Sequence, residues 1–152
     1  MYGGSLSTSQ YSFHGLLDEN TFAPRPNYWA ALLWRRLMGT TVLDPQIAST
    51  PNLYVYAHCL RNHPGGVALL VINADGQQVH EVTLIPEAER YTLTAKQLQD
   101  RSVELNGKTL ELTSDSDIPE FVGQRTRAGR ISIAPASITF LAIPNANNSS
   151  CR

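Results

Sequence analysis

Pro26-Asn27-Tyr28-Trp29-Ala30-Ala31-Leu32-Leu33-Trp34-Arg35-Arg36-Leu37-Met38-Gly39-Thr40-Thr41-Val42-Leu43 is the stretch where the chain changes period. Trp29, Leu32, Leu33 and Leu37 recur at i, i+3, i+4 and i+8, the apolar stripe of an amphipathic helix. Pro26 or Asn27 suits its cap region. Arg35 and Arg36 fall in its last turns, where cations complement the helix dipole. Gly39 fits the left-handed position that ends many helices. From Thr40 the residues are β-branched and apolar, and Thr40 to Leu43 reads as a strand. Trp29 and Trp34 lie on different helix faces. Trp29 belongs to the core stripe, and Trp34 is expected to pack against the β part.

Working outward, the C-terminal side is a succession of short strands. They are predicted at Leu53 to Cys59, Val67 to Asn73, Val79 to Ile85, Arg90 to Thr94, Arg130 to Ile133 and Ser137 to Ile143. Ser102 to Leu105 and Lys108 to Leu112 flank Asn106-Gly107, the strongest two-residue hairpin signal. Pro51, Pro64-Gly65-Gly66, Asp75-Gly76, Pro86 and Pro135 punctuate the series. Such spacing predicts an antiparallel β-sandwich. In the first long strand Leu53, Val55, Ala57 and Cys59 share the predicted core face, and Tyr54, Tyr56 and His58 the other. On the N-terminal side, residues 1–26 read as loop, with one short strand at Gly15-Leu16-Leu17-Asp18-Glu19. A lone helix behind an orphan strand looks like the end of a βα unit whose earlier repeats are missing.

The 152 residues hold 12 basic and 13 acidic side chains, for a formal charge of -1. This balance disfavours nucleic acid as a partner, because phosphate contacts need a basic excess. It also disfavours a polybasic membrane-surface domain. No apolar run reaches the roughly 20 residues of a transmembrane segment. The first residues show neither the basic nor the apolar region of a signal peptide. Two cysteines, Cys59 and Cys151, form no CxxC pair, so they are either two idle thiols or one long-range bridge.

Motifs for nucleotide, metal or serine-hydrolase chemistry are absent, and no cofactor is implied. His58 and His63 lack a third ligand at metal-binding spacing. Asp18 and Glu19 are adjacent and point to opposite sides, which favours a capping acidic turn over a cooperating pair. Asp115 and Asp117 read as a solvated loop. Asn147-Asn148-Ser149 and Asn148-Ser149-Ser150 match the glycosylation triplet and also read as a polar tail.

An ordered set of segments resembles the heparanase family, glycoside hydrolase family 79. The set is Gly15-Leu16-Leu17-Asp18-Glu19-Asn20, Pro26-Asn27-Tyr28-Trp29, Leu32-Leu33-Trp34-Arg35-Arg36-Leu37-Met38-Gly39-Thr40, Val55-Tyr56-Ala57-His58-Cys59 and Leu70-Val71-Ile72-Asn73. It continues with Val103-Glu104-Leu105-Asn106-Gly107, Ile118-Pro119, Ala134-Pro135-Ala136-Ser137-Ile138-Thr139-Phe140, Pro144-Asn145-Ala146 and the terminal Cys151. The resemblance implies a (β/α)8 barrel followed by a β-sandwich. It implies retaining hydrolysis by two glutamates, an acid/base and a nucleophile, acting on β-linked glucuronic acid in heparan-sulfate-like or other glucuronides.

On this resemblance residues 1–39 are the last strand, loop and helix of a truncated barrel, and residues 40–152 are the sandwich. The family's two glutamates belong to earlier barrel strands, and no glutamate here matches them. The chain is therefore expected to hold no catalytic residue and to be inactive alone. The family loop before the Leu-Leu-Asp motif brings a glycine and a tyrosine to the glucuronic-acid subsite. His14 falls at the tyrosine position, Tyr11 lies three residues earlier, and Gly3 or Gly4 would supply a backbone N–H. The family also joins a cysteine of the Tyr-Ala-His-Cys strand to one at the C-terminus, which implies a Cys59–Cys151 disulfide and a secreted or periplasmic parent. The implied partners are a glucuronic-acid glycan, met through the parent enzyme, and the missing barrel. The competing reading is a stand-alone, non-catalytic carbohydrate-binding or interaction β-sandwich. The helix separates the two, since its apolar stripe is expected to need a barrel to cover it.

Overall fold

A computed structural model of the chain describes residues 15–47, 50–114 and 116–152. Helix α1 spans Pro26–Leu37 with proline in its first turn. Its N-cap is Arg25, which makes no side-chain capping bond, so the entry rests on the proline's preset φ. Strand β1, Met38–Leu43, follows without a linker. Gly39 is therefore not a left-handed helix stop, as the sequence suggests. It lies inside β1, where a Cβ would stand 2.5 Å from the Cys59 carbonyl oxygen. Its lack of a side chain is what lets β1 cross there.

The remaining strands are β2 (Leu53–Leu60), β3 (Val67–Asn73), β4 (His80–Leu84), β5 (Ala88–Thr94), β6 (Glu104–Leu105), β7 (Lys108–Thr109), β8 (Gln124–Thr126), β9 (Gly129–Ile133) and β10 (Ser137–Ile143). All pairings among them are antiparallel. The main sheet runs β1-β2-β3-β10-β5-β6-β7, with β8 also paired to β5. A separate ribbon pairs β4 with β9. The described residues are thus mainly β, with antiparallel sheets and one α-helix, in the sandwich class read from the sequence.

Three differences from the sequence reading have local causes. Gly15 to Glu19 forms no strand, only a single bridge, Leu17 to Pro24, because the chain reverses at once through a turn. Strands β6 and β7 are two residues each, since only the rungs flanking the Asn106-Gly107 turn pair. Strand β8 carries no alternation of apolar residues, because it lies exposed at the margin beside β5.

Alternation along the strands builds two cores, one on each face of the main sheet. On one face Leu60, Ala68, Leu70, Tyr91, Leu93, Phe140 and Ala142 meet Trp29, Leu33 and Met38. On the other Val71, Leu141 and Ile143 meet Leu84, Ile131 and Ile133 of the ribbon. Both faces of β2 therefore contribute, rather than the odd positions alone. The helix stripe is also not left bare: Trp29 is 2% and Leu33 1% exposed, both packed on the chain's own sheet. The disulfide Cys59–Cys151 ties β2 to the C-terminal turn, closing a sequence separation of 92. Around it Gly65 N–H donates to the Cys151 carbonyl at 2.6 Å, and Asn148 N–H donates to the Gly65 carbonyl.

Candidate functional site

Gly3, Gly4, Tyr11 and His14, the residues implied for the glucuronic-acid subsite, lie outside the described residues. The described chain begins directly after them, at the turn that carries Asp18 and Glu19. Asp18 Oδ1 accepts from the N–H of Asn20 and of Thr21 and from the Thr21 hydroxyl, each at 3.1 Å. The Thr21 hydroxyl accepts in turn from Ala23 N–H. Arg25 lies 3.6 Å and Arg101 3.8 Å from the other carboxylate oxygen.

The Thr21 N–H, then the Asn20 N–H, holds the Asp18 carboxyl below its ordinary range. An ionised carboxylate occupied by its own turn cannot deliver a proton to a glycosidic oxygen. Asp18 is a turn-former, as the capping interpretation of the acidic pair expected.

Two grooves flank this turn. One, of about 320 Å³, is lined by Asp18, Thr21, Pro24, Arg25, Asp100 and Arg101. The other, of about 590 Å³, runs past Phe22, Pro24, Trp29, Arg101, Leu110 and Leu112. Phe22 stands 67% exposed at its rim, held at φ 57° by the turn. Both guanidinium groups that line the smaller groove, those of Arg25 and Arg101, face the Asp18 carboxylate. Arg101 was not singled out in the sequence. It reaches Asp18 only through the tertiary fold, and no local pattern marks it.

His58 Nδ1 donates to the Gly39 carbonyl at 2.7 Å, and its ring meets Trp34 edge-on at 5.0 Å between centroids. Trp34 thus packs against the β part as its helix face predicts. Sequence reading missed the side-chain hubs formed by buried Asn73 and half-buried Asn106. The Asn73 side-chain amide donates to the carbonyls of Gln78, Ala134 and Ile133, and its oxygen accepts from Asp75 N–H. Asn106 does the same for Thr92, Arg90 and Val122. These are structural hubs rather than reactive groups.

No family model matches the chain. It is 38% identical over 139 residues to baicalin-β-D-glucuronidase of Scutellaria baicalensis, covering 86% of this chain and 26% of that protein. It is 32% identical over 178 residues to heparanase-like protein 1 of Arabidopsis thaliana, covering 91% of this chain and 33% of that one. Mouse heparanase is 32% identical over 151 residues, covering 90% of this chain and 28% of its own length. The chain therefore spans between a quarter and a third of these relatives. A solved GH51 α-L-arabinofuranosidase from Thermotoga petrophila aligns at a TM-score of 0.41 and 12% identity, over 64% of this chain and 20% of its own. Over most of its length this chain is a heparanase-like sequence, of the family 79 glycoside hydrolase kind.

Proposed function

We propose that the chain is the C-terminal portion of a heparanase-like retaining endo-β-glucuronidase acting on heparan-sulfate-like or other glucuronic-acid glycans. The single observation that carries this reading is the 38% identity to a β-glucuronidase across 86% of the chain. Residues 1–39 then close a (β/α)8 barrel and residues 40–152 form its companion sandwich. The acid/base and nucleophile lie in the barrel repeats before this segment, and the chain alone does not hydrolyse. Tyr11 or His14 takes the family tyrosine position in the glucuronic-acid subsite, and Gly3 or Gly4 supplies a backbone N–H. The Cys59–Cys151 bridge supports an oxidising compartment, and so a secreted or periplasmic parent.

Sequencing the coding DNA upstream of the Met1 codon tests this. The expected result is an in-frame reading through βα units that carry two glutamates, and a stop codon directly before Met1 would overturn it. The purified 152-residue chain is expected to leave a chromogenic β-glucuronide intact, whereas sustained turnover would place the catalytic pair within it. A second reading, the stand-alone carbohydrate-binding β-domain, is favoured by one observation. Trp29 and Leu33 are already covered by the chain's own sheet, so the helix needs no barrel on that face.

A further inference from the structure

After β10 the chain runs through Asn147-Asn148-Ser149-Ser150 into a short helical turn, Ser149–Cys151. This stretch holds two overlapping acceptor triplets for N-glycosylation. Asn147 is read with Ser149, and Asn148 with Ser150. A bulky oligosaccharide on one asparagine crowds the other, and the sequence does not choose between them. The fold treats the two residues differently.

Asn148 is built into the chain end. Its N–H donates to the Gly65 carbonyl at 2.9 Å, and its carbonyl accepts from Cys151 N–H at 3.1 Å. Its Oδ1 accepts from Ser150 N–H at 2.9 Å and so caps the turn. The residue is half-buried, and the turn it caps carries buried Cys151, bridged to Cys59. Asn147 is exposed, and its φ of 53° is the left-handed conformation that asparagine tolerates in turns. Its Nδ2 donates to the Asn145 carbonyl at 3.2 Å. An amide nitrogen carries two hydrogens, so one can be replaced while that bond is kept. Ser149, which completes its triplet, is exposed as well. The backbone opposite is Gly65, which brings no side chain to compete for the space: a Cβ there would meet Asn147 Cα at 3.7 Å.

We propose that Asn147, and not Asn148, is an N-glycan acceptor. The donor is a lipid-diphosphate-linked oligosaccharide. A bond forms between Asn147 Nδ2 and the anomeric carbon of the first sugar, and the bond from that carbon to the diphosphate oxygen breaks. The lipid diphosphate leaves with the electron pair, and Nδ2 gives up one proton to a base of the transferase. The Cys59–Cys151 bridge supports passage through an oxidising compartment, and in a eukaryotic cell that compartment is where such transfer takes place. The proposal rests on this compartment reading and not on the glucuronidase assignment. A glycan on Asn147 removes none of the hydrogen bonds that Asn148 makes around the bridge, so the turn and the disulfide keep their geometry under it.

Secretion of the full polypeptide encoded by the gene from eukaryotic cells, followed by non-reducing peptide mapping, tests the proposal. Peptide N-glycosidase in heavy-oxygen water is expected to label position 147 and to leave position 148 unlabelled. Two variants separate the triplets without touching either asparagine. Ser149→Ala destroys the Asn147 triplet and keeps that of Asn148, and Ser150→Ala does the reverse. The label is expected to be lost in Ser149→Ala and kept in Ser150→Ala. A label at position 148, or one that Ser150→Ala abolishes and Ser149→Ala keeps, would overturn the assignment. An unmodified peptide with Cys59 and Cys151 joined would overturn the acceptor site and leave the compartment reading standing. An unmodified peptide with free thiols at both positions would remove the two together.

Discussion

Asn73 is 1% exposed and sits at the end of β3, where the ribbon joins the main sheet. Its amide and carbonyl oxygen saturate four backbone groups of two separate segments, the 75–78 turn and Ile133-Ala134, so Asn73→Ala would leave carbonyls and an N–H unpaired. Each such group costs about 1–3 kcal/mol. The expected outcome is a clearly lower urea midpoint at unchanged slope, measured by equilibrium unfolding. Tyr91 is a second residue-scale test. Burial first, then its hydrogen bond to Glu89 at 2.9 Å, pushes its phenol up to about 12. A raised folded-state value favours the protonated form. The stabilisation is fully present below pH 10, the ordinary phenol range, and is lost as pH rises toward 12. An ultraviolet titration of the folded chain should show one tyrosine ionising late, and Glu89→Gln should bring it earlier. Neither residue was legible as special in the sequence. Asn73 ends an apolar strand, and Tyr91 reads as one more alternating core position.

At the scale of elements, the helix and the two central strands β3 and β10 were the most legible features. The observed limits of β3 and β10, Val67–Asn73 and Ser137–Ile143, coincide with the apolar runs. Both strands are buried on two faces, so each residue carries the signal. Asn106-Gly107 was legible for another reason. Both residues take positive φ, 50° and 80°, as a two-residue hairpin turn requires. Gly39 was misread because the same residue serves two purposes, and sequence cannot tell a left-handed stop from a close crossing. The crossing can be tested. Gly39→Ala puts a methyl 2.5 Å from the Cys59 carbonyl oxygen, a backbone atom that cannot swing aside. It should cost about 1–3 kcal/mol, as overpacking does. Gly76→Ala, with nothing within 4 Å of the added methyl, should be nearly neutral in the same unfolding experiment.

For the whole molecule, the disulfide is the longest-range constraint. Closing about 90 residues removes loop-closure entropy from the unfolded chain, worth about 4–5 kcal/mol in the chain-entropy model. For a domain of this size that corresponds to a melting temperature lower by roughly 10 °C after reduction. Differential scanning calorimetry with and without reductant should read this drop, and a Cys59→Ser/Cys151→Ser variant should melt like the reduced chain. The bridge was expected only through the resemblance. Spacing alone left two thiols or one bond open, because residues so far apart meet only if the strand order brings them together.

Local order was determined by the sequence itself. Period, caps and turn residues act within a few positions of one another, so the helix, most strands, the hairpin turn and the mainly β class follow from neighbours along the chain. The ordered motifs also carried the heparanase-like kinship. Tertiary structure alone decided what each face meets. It put Trp29 and Leu33 on the chain's own sheet, Arg101 against the Asp18 turn, and Cys59 beside Cys151. It also left Trp34, Tyr54 and Tyr56 open beside the helix. Those outcomes depend on which strands pair across long loops, and the free energy of such contacts lies in burial that no local pattern encodes.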